Sequence, residues 1–224
     1  MDIYLEGSRI EAVLRKLLRQ DSNCIDIGCH LGSMLSLILE LAPHGRHMAF
    51  EPVPSKAAWL RRKFPEVDVR RMALGDSSAK LTFYHNTSRS GFSSLVQHPW
   101  GDDGVEKLTV DCEPLDRVLP DGHRVDFMKV DVEGYEPHVL RGAADLLRRD
   151  RPILLFESIR SDLLELASKP ADIMEFLGGS LGYSIFTPKG FLEEGAPLTL
   201  EQFRAAHEYP FQAINFFAVP RAVP

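Results

Sequence analysis

The sequence predicts an α/β fold: a Rossmann-like, doubly wound, mostly parallel seven-stranded sheet with an antiparallel edge strand and helices on both faces. Three observations carry that reading. Short, mainly apolar runs at 24–27, 47–50, 67–72, 125–130 and 153–156 alternate with stretches of helical periodicity, as parallel strands buried on both faces do. Four of those five core strands close on a carboxylate: Asp26, Glu51, Asp131 and Glu157. In an open α/β sheet the carboxyl ends of the strands share one rim, and ligands bind outside it. The segments 183–186 and 213–219 read as a closing pair at one edge.

Each element has its own warrant. Ser8, with Glu11 three residues on, reads as a capping box; Ile10, Val13, Leu14, Leu17 and Leu18 then keep helical spacing, and Asp21-Ser22-Asn23 breaks the helix. Residues 33–41 are apolar on more than one side, as suits a helix packed on a sheet. The second strand closes on Glu51-Pro52, and Ser55 caps a helix that runs to Phe64. The third ends at Ala73-Leu74-Gly75-Asp76, and then the pattern changes. Residues 80–85 alternate apolar and polar, 108–110 are short and β-like, and a Ser/Gly-rich loop, 86–104, lies between them. A loop this long is functional or mobile, and we read it as a mobile loop over the site. Strand 125–130 runs into Asp131-Val132-Glu133-Gly134, and Pro137 suits the first turn of a helix carrying Val139, Leu140, Ala143, Leu146 and Leu147. A helix covers 171–177, and Thr199 with Gln202 forms a second capping box before the last strand. The whole chain, 1–224, reads as a single domain with an N-terminal helix in 1–21.

Composition narrows the function. A net charge of −6 argues against a general nucleic-acid binder, and the basic clusters, such as Arg61-Arg62-Lys63, fall at helix ends where the dipole favours them. Three cysteines without CxxC spacing give neither a disulfide framework nor a zinc site, and they fit a reducing cytoplasm. The acidic start lacks a signal-peptide layout, and no apolar run approaches the ~20 residues of a membrane span.

The stretch 24–33 reads as strand, glycine turn and helix start, with Asp26 just inside the strand's end and Gly28 and Gly32 four residues apart. Glu51 follows about 20 residues later, where a ribose-reading carboxylate belongs. The spacing Asp-x-Gly-x-x-x-Gly is not the three-glycine dinucleotide fingerprint. Its room for Cys29 and His30 suits a nucleoside with an amino-acid tail better than a pyrophosphate.

These segments resemble the FkbM family of class I S-adenosylmethionine-dependent methyltransferases. Residues 25–32 resemble its first motif, Phe50-Glu51-Pro52 its ribose-binding strand end, and Ala73-Leu74-Gly75-Asp76 the segment near the adenine. The run 126–136, followed by Val139-Leu140-Arg141-Gly142-Ala143, resembles its most distinctive signature, and 215–220 its terminal strand. The match spans about residues 22–220. Cys29-His30 stand where the family has small residues, and the segment before the first strand is short.

The resemblance implies that Asp26, Gly28 and Gly32 hold the methionine portion of S-adenosylmethionine, with Cys29, His30 and Pro52 nearby. It implies that Glu51 accepts from the ribose hydroxyls, that Ala73 and Leu74 flank the adenine beside Asp76, and that Asp131 lies beside the cofactor's amino group or sulfonium. His30 offers a ring nitrogen to the cofactor carboxylate or faces solvent. Glu133 is the leading general base, Asp131 the second and Glu157 the third, with His138 a weak candidate. Lys129 pairs with a carboxylate under the site or orients the acceptor oxygen. In the loop, Ser93 or Ser94 can reach the cofactor while Phe92 and Trp100 cover the acceptor. Asp131, Glu133 and Glu157 could also take a divalent metal such as Mg2+, which the resemblance does not demand.

The function expected is O-methylation of a small-molecule hydroxyl on a sugar, polyol or natural product, in a cytoplasmic protein that binds neither nucleic acid nor membrane and is plausibly a homodimer. The alternatives are a non-catalytic cofactor-binding partner protein and an NAD-dependent oxidoreductase.

Overall fold

A computed structural model describes residues 3–97, 104–158, 170–209 and 211–221. Within them the strands are β1 (Cys24–Ile27), β2 (Met48–Phe50), β3 (Asp68–Arg70), β4 (Ala73–Leu74), β5 (Ala79–Asn86), β6 (Val105–Glu113), β7 (Phe127–Val130), β8 (Ile153–Glu157), β9 (Tyr183–Phe186) and β10 (Asn215–Pro220). The main sheet has seven strands in the order β3-β2-β1-β7-β8-β10-β9, parallel except at one edge. There β10 runs antiparallel to both β8 and β9, so the reversed strand lies one place in from the margin. The chain leaves β1 to build β2 and β3 on one side and returns to lay β7 on the other. The crevice at that switch point, between the ends of β1 and β7, is where such sheets bind ligands.

Alternation along the central strands sorts their side chains. Ile25, Ile27, Met128 and Val130 face a core built with Val139, Leu140, Leu146 and Leu147. Cys24 and Phe127 face the opposite core, with Ile10, Val13, Leu14 and Ile38 from the helices Glu6–Leu17 and Ser33–Leu41. Asp26 pairs in register with Lys129 between these strands, so a buried acid and a buried base sit side by side.

A second, three-stranded sheet, in the order β4-β6-β5, stands apart from the main one. The β6 strand runs for nine residues rather than 108–110, because its exposed positions dilute the apolar signal. Its inward side chains Val110 and Cys112 join Ala73, Phe83 and Leu95 in a small core.

Three helix starts or spans also differ. The first helix begins at Glu6, and Ser8 Oγ donates to the Leu5 carbonyl, so no capping box forms there. Glu6 instead accepts from the backbone N–H groups of Ile214 and Asn215 at 2.9 and 3.2 Å, tying this helix to the start of β10. Ser55 lies inside the helix Pro54–Lys63, whose cap position is Val53. The helix expected after Pro137 splits into Glu136–Arg141 and Ala144–Asp150. The box at Thr199 and Gln202 forms reciprocally, at 3.2 and 2.9 Å.

The split falls beside Gly142, where a Cβ would lie 1.8 Å from the Gly75 carbonyl oxygen. Only a residue without a side chain lets these two backbones meet. Gly142→Ala is therefore expected to lower unfolding stability by about 1–3 kcal/mol in urea denaturation, as overpacking does.

Candidate active site

The ends of β1, β2 and β7 and the β4 segment surround a cavity of about 250 Å³. Its lining includes the polar residues His30, Glu51, Lys56, Lys129, Asp131 and Glu133 and the apolar residues Met72, Ala73, Leu74, Phe83 and Leu95.

The polar groups of the lining are organised by Lys129. Its Nζ lies 3.4 Å from Asp26 Oδ1 and 3.2 Å from Asp131 Oδ2, and it donates to the Gly28 carbonyl at 3.1 Å. Burial alone would lower this ammonium's pKa, but the charges of Asp26 and Asp131 outweigh it and hold it above the ordinary value. Burial pushes the Asp26 carboxyl the other way, toward the neutral form. For this pair the lysine's direction decides: with two carboxylates beside it, Lys129 stays a cation. Asp26 is fully buried, and neither of its oxygens has a hydrogen-bond donor. Lys129 is thus its compensating charge.

Glu51 is almost fully buried, and its two oxygens accept from the N–H groups of Val53 at 2.9 Å and His30 at 3.1 Å. A carboxylate has about four lone-pair sites, so acceptor capacity remains toward the cavity. Burial raises its pKa. His30 adopts a left-handed backbone, φ 50°, and its Nε2 meets Ser90 Oγ at 2.8 Å. Lys56 donates to the Ser90 carbonyl at 2.9 Å, so two residues from the sheet side anchor the loop after β5.

The turn after β7 carries Glu133 at φ 56°, a conformation a non-glycine side chain rarely adopts. Burial, then the charges of Asp131 and Glu136, push its carboxyl up to about 8. Glu136 is buried and pushed up to about 7 by burial, and burial holds Glu157 well above the usual range.

The expected site residues divide as follows. Gly28, Cys29, His30, Glu51, Pro52, Ala73, Leu74, Lys129, Asp131 and Glu133 line the cavity. Asp26 sits beneath the wall, paired to Lys129. Gly32 starts the helix Ser33–Leu41 at φ 80°, packed against Phe64 and Leu60 outside the cavity lining. Asp76 also lies outside it, its Oδ2 hydrogen-bonded with His138 Nδ1 at 2.7 Å. That imidazole stacks on Tyr135 at 4.2 Å, and Tyr135 itself lines the cavity. Ser93 lines the cavity, whereas Ser94 Oγ turns to the carbonyls of Val132 and Glu133. Phe92 is half-exposed and outside the lining; Trp100 lies outside the described residues.

Lys56, Tyr135, Met72, Phe83 and Leu95 line the cavity with no role foreseen for them. The signals for two of them are Phe83's place in the alternating 80–85 pattern and Tyr135's place in the 126–136 run.

Among the described residues, the acidic groups that gather closely enough to hold a metal are Asp131, Glu136 and Glu157, with one oxygen from each lying within 4.8 Å of the others, rather than Asp131, Glu133 and Glu157. The Asp131 charge is already met by Lys129, and Glu136 accepts from two backbone amides.

The methyltransferase FkbM domain family matches residues 26–185. The curated relatives include 2-O-methyltransferase NoeI of Sinorhizobium fredii, 25% identical over 158 residues, which cover 62% of this chain and 64% of that protein. Methyltransferase 1 of Beauveria bassiana is 30% identical over 150 residues, covering 56% of this chain and 59% of its own length. AMB antimetabolite synthetase AmbE of Pseudomonas aeruginosa is 28% identical over 62% of this chain, which is 8% of that protein. The chain thus spans less than two thirds of each of these relatives. Among solved structures, methyltransferase FkbM of Methylobacillus flagellatus superposes with a TM-score of 0.55 at 17% identity, over 91% of this chain and 45% of that one. That likeness concerns the fold. No helix among the described residues is long and apolar enough to cross a membrane.

Two measurements follow from this geometry. Lys129→Met leaves the Asp26 carboxylate buried without a cation and is expected to cost about 3–5 kcal/mol in urea denaturation. Glu133, Glu136 and Glu157 hold protons in the folded chain at pH values where an unfolded chain has lost them. Their contribution to unfolding stability is therefore expected to fall as pH rises from about 5 to about 8, with a shallower slope in Glu133→Gln.

Proposed function

We propose that this chain, which belongs to the methyltransferase FkbM family, transfers a methyl group from S-adenosylmethionine to a hydroxyl oxygen of a small sugar, polyol or natural-product acceptor. The observation that carries the proposal is the cavity at the switch point, lined by both polar and apolar residues, with a raised-pKa carboxyl, Glu133, in its wall.

The wall fits the cofactor. Glu51 keeps free lone pairs, as a ribose diol needs, and Asp131 is partly exposed beside Lys129, with an oxygen left for a cationic amino group. Met72, Ala73, Leu74, Phe83 and Leu95 offer an apolar slot for a purine. When bound, S-adenosylmethionine supplies an electrophilic methyl carbon and a thioether leaving group. Glu133 takes the proton of the acceptor hydroxyl as the oxygen's lone pair forms the new O–C bond. Its position above the ordinary carboxylate range makes it a stronger base, at the cost of being protonated below about pH 8. Lys129 holds Asp131 and the Gly28 carbonyl in place, so the floor of the cavity is set before ligands enter. The hydroxyl preference is supported by NoeI, which is named as a 2-O-methyltransferase. The three buried free thiols support a reducing, cytoplasmic setting.

Isothermal titration with S-adenosylmethionine, followed by a screen of hydroxylated acceptors for methyl incorporation, tests the reading. Binding without transfer to any acceptor would favour a cofactor-binding partner protein. Glu133→Gln is expected to lower kcat at least ~100-fold while leaving cofactor affinity near that of the parent chain. The parent's kcat is expected to rise with pH through about 8, as Glu133 loses its proton. A flat profile, or unchanged turnover in Glu133→Gln, removes the base assignment.

A further inference from the structure

Glu136 is the one buried carboxylate of the 131–136 segment to which the reaction above gives no task. It is almost fully buried and does not line the cavity. It stands at the first position of the helix Glu136–Arg141, and its side chain turns back over the preceding residues. Oε1 accepts from the Val132 N–H at 2.8 Å and from the Gly134 N–H at 3.2 Å, while Oε2 accepts from the Gly134 N–H at 3.0 Å. Between those two amides lies Glu133, with its backbone at φ 56°. Such a conformation is strained for a residue that carries a side chain, and it persists only where its surroundings dictate it. On the opposite face of the turn, the buried Ser94 hydroxyl lies 3.0 Å from the Val132 carbonyl and 2.8 Å from the Glu133 carbonyl, and it accepts from the Val96 N–H at 3.0 Å. The turn is therefore gripped on its N–H side by a carboxylate and on its carbonyl side by a hydroxyl from the loop after β5.

We propose that Glu136 is a positioning residue: by accepting from the amides on both sides of Glu133 it holds that residue's strained backbone and so aims the Glu133 carboxylate into the cavity. The proposal rests on the reading of Glu133 as the base. A bland alternative is that Glu136 merely satisfies two buried donors and matters only for stability. The two differ in what a glutamine should do. Glutamine keeps a carbonyl oxygen that both amides can reach, whereas alanine leaves both without an acceptor.

The test uses the full chain as parent, Glu136→Gln, Glu136→Ala and Glu133→Gln. Three quantities are read: S-adenosylhomocysteine affinity by calorimetry, amide hydrogen exchange at Val132 and Gly134, and kcat with the acceptor found in the screen. In Glu136→Ala we expect faster exchange at both amides and a kcat lowered ~100-fold, approaching Glu133→Gln, with the S-adenosylhomocysteine Kd changed less than ~5-fold. Glu136→Gln is expected to restore exchange protection and to keep kcat within ~10-fold of the parent. Equal loss of kcat in glutamine and alanine overturns the proposal, as does an alanine variant with parental kcat. Should the alanine variant not fold, a glutamine variant that folds, binds S-adenosylhomocysteine and still loses ~100-fold in kcat also overturns it. Failure of the base reading is seen separately, as parental kcat in Glu133→Gln, and the exchange measurement needs no acceptor.

Discussion

The rest of the structure depends on one buried ammonium. Lys129 lies between Asp26 on the neighbouring strand and Asp131 at the end of its own, and it reaches the Gly28 carbonyl at the glycine turn. Two carboxylates and a carbonyl from three places in the chain thereby converge on a single cation. The arrangement is costly in isolation, since ion pairs out of water recover their desolvation only with good geometry. Its value lies in registration. The β1–β7 pairing that sets Asp26 beside Lys129 also sets the ends of both strands level, and that level edge is the floor of the cavity.

Above that floor the polar groups grade outward. Asp26 is sealed and serves the lysine; Asp131 is shared between the lysine and the cavity; Glu133 faces the cavity from a turn whose backbone is strained. Burial first, and then the charges of neighbouring carboxyl groups, explain why Glu133, Glu136 and Glu157 are all pushed toward their protonated forms. A base made strong by its burial and its neighbours has its protonation set by both, so the reaction and the electrostatics of the rim are linked.

Much of this was legible in the sequence because it depends on spacing along single strands. The apolar runs announced β1, β7 and β8, and the carboxylates at their ends announced the rim. What depends on contacts distant in sequence was not legible. Ser8 looked like a cap, yet the helix starts earlier, where Glu6 meets the amides of Ile214 and Asn215, some two hundred residues away. Gly32 looked like a ligand-facing glycine, yet a side chain there would strike Phe64 and Leu60. The grip of Glu136 on its own turn was missed for a different reason. A glutamate opening a helix is unremarkable in a one-dimensional pattern, and only its back-turned conformation reveals the two amides it holds.

The central claim is that this rim receives an adenosyl sulfonium and leaves an acceptor pocket in front of Glu133. The most direct measurement is a crystal structure of the chain with S-adenosylhomocysteine. The expected result is the ribose hydroxyls on Glu51, the adenine against Leu74 and Phe83, and the sulfur facing the space beside Glu133. A ligand bound elsewhere, or a Glu133 carboxylate turned away from the sulfur with apolar side chains filling that space, would contradict it.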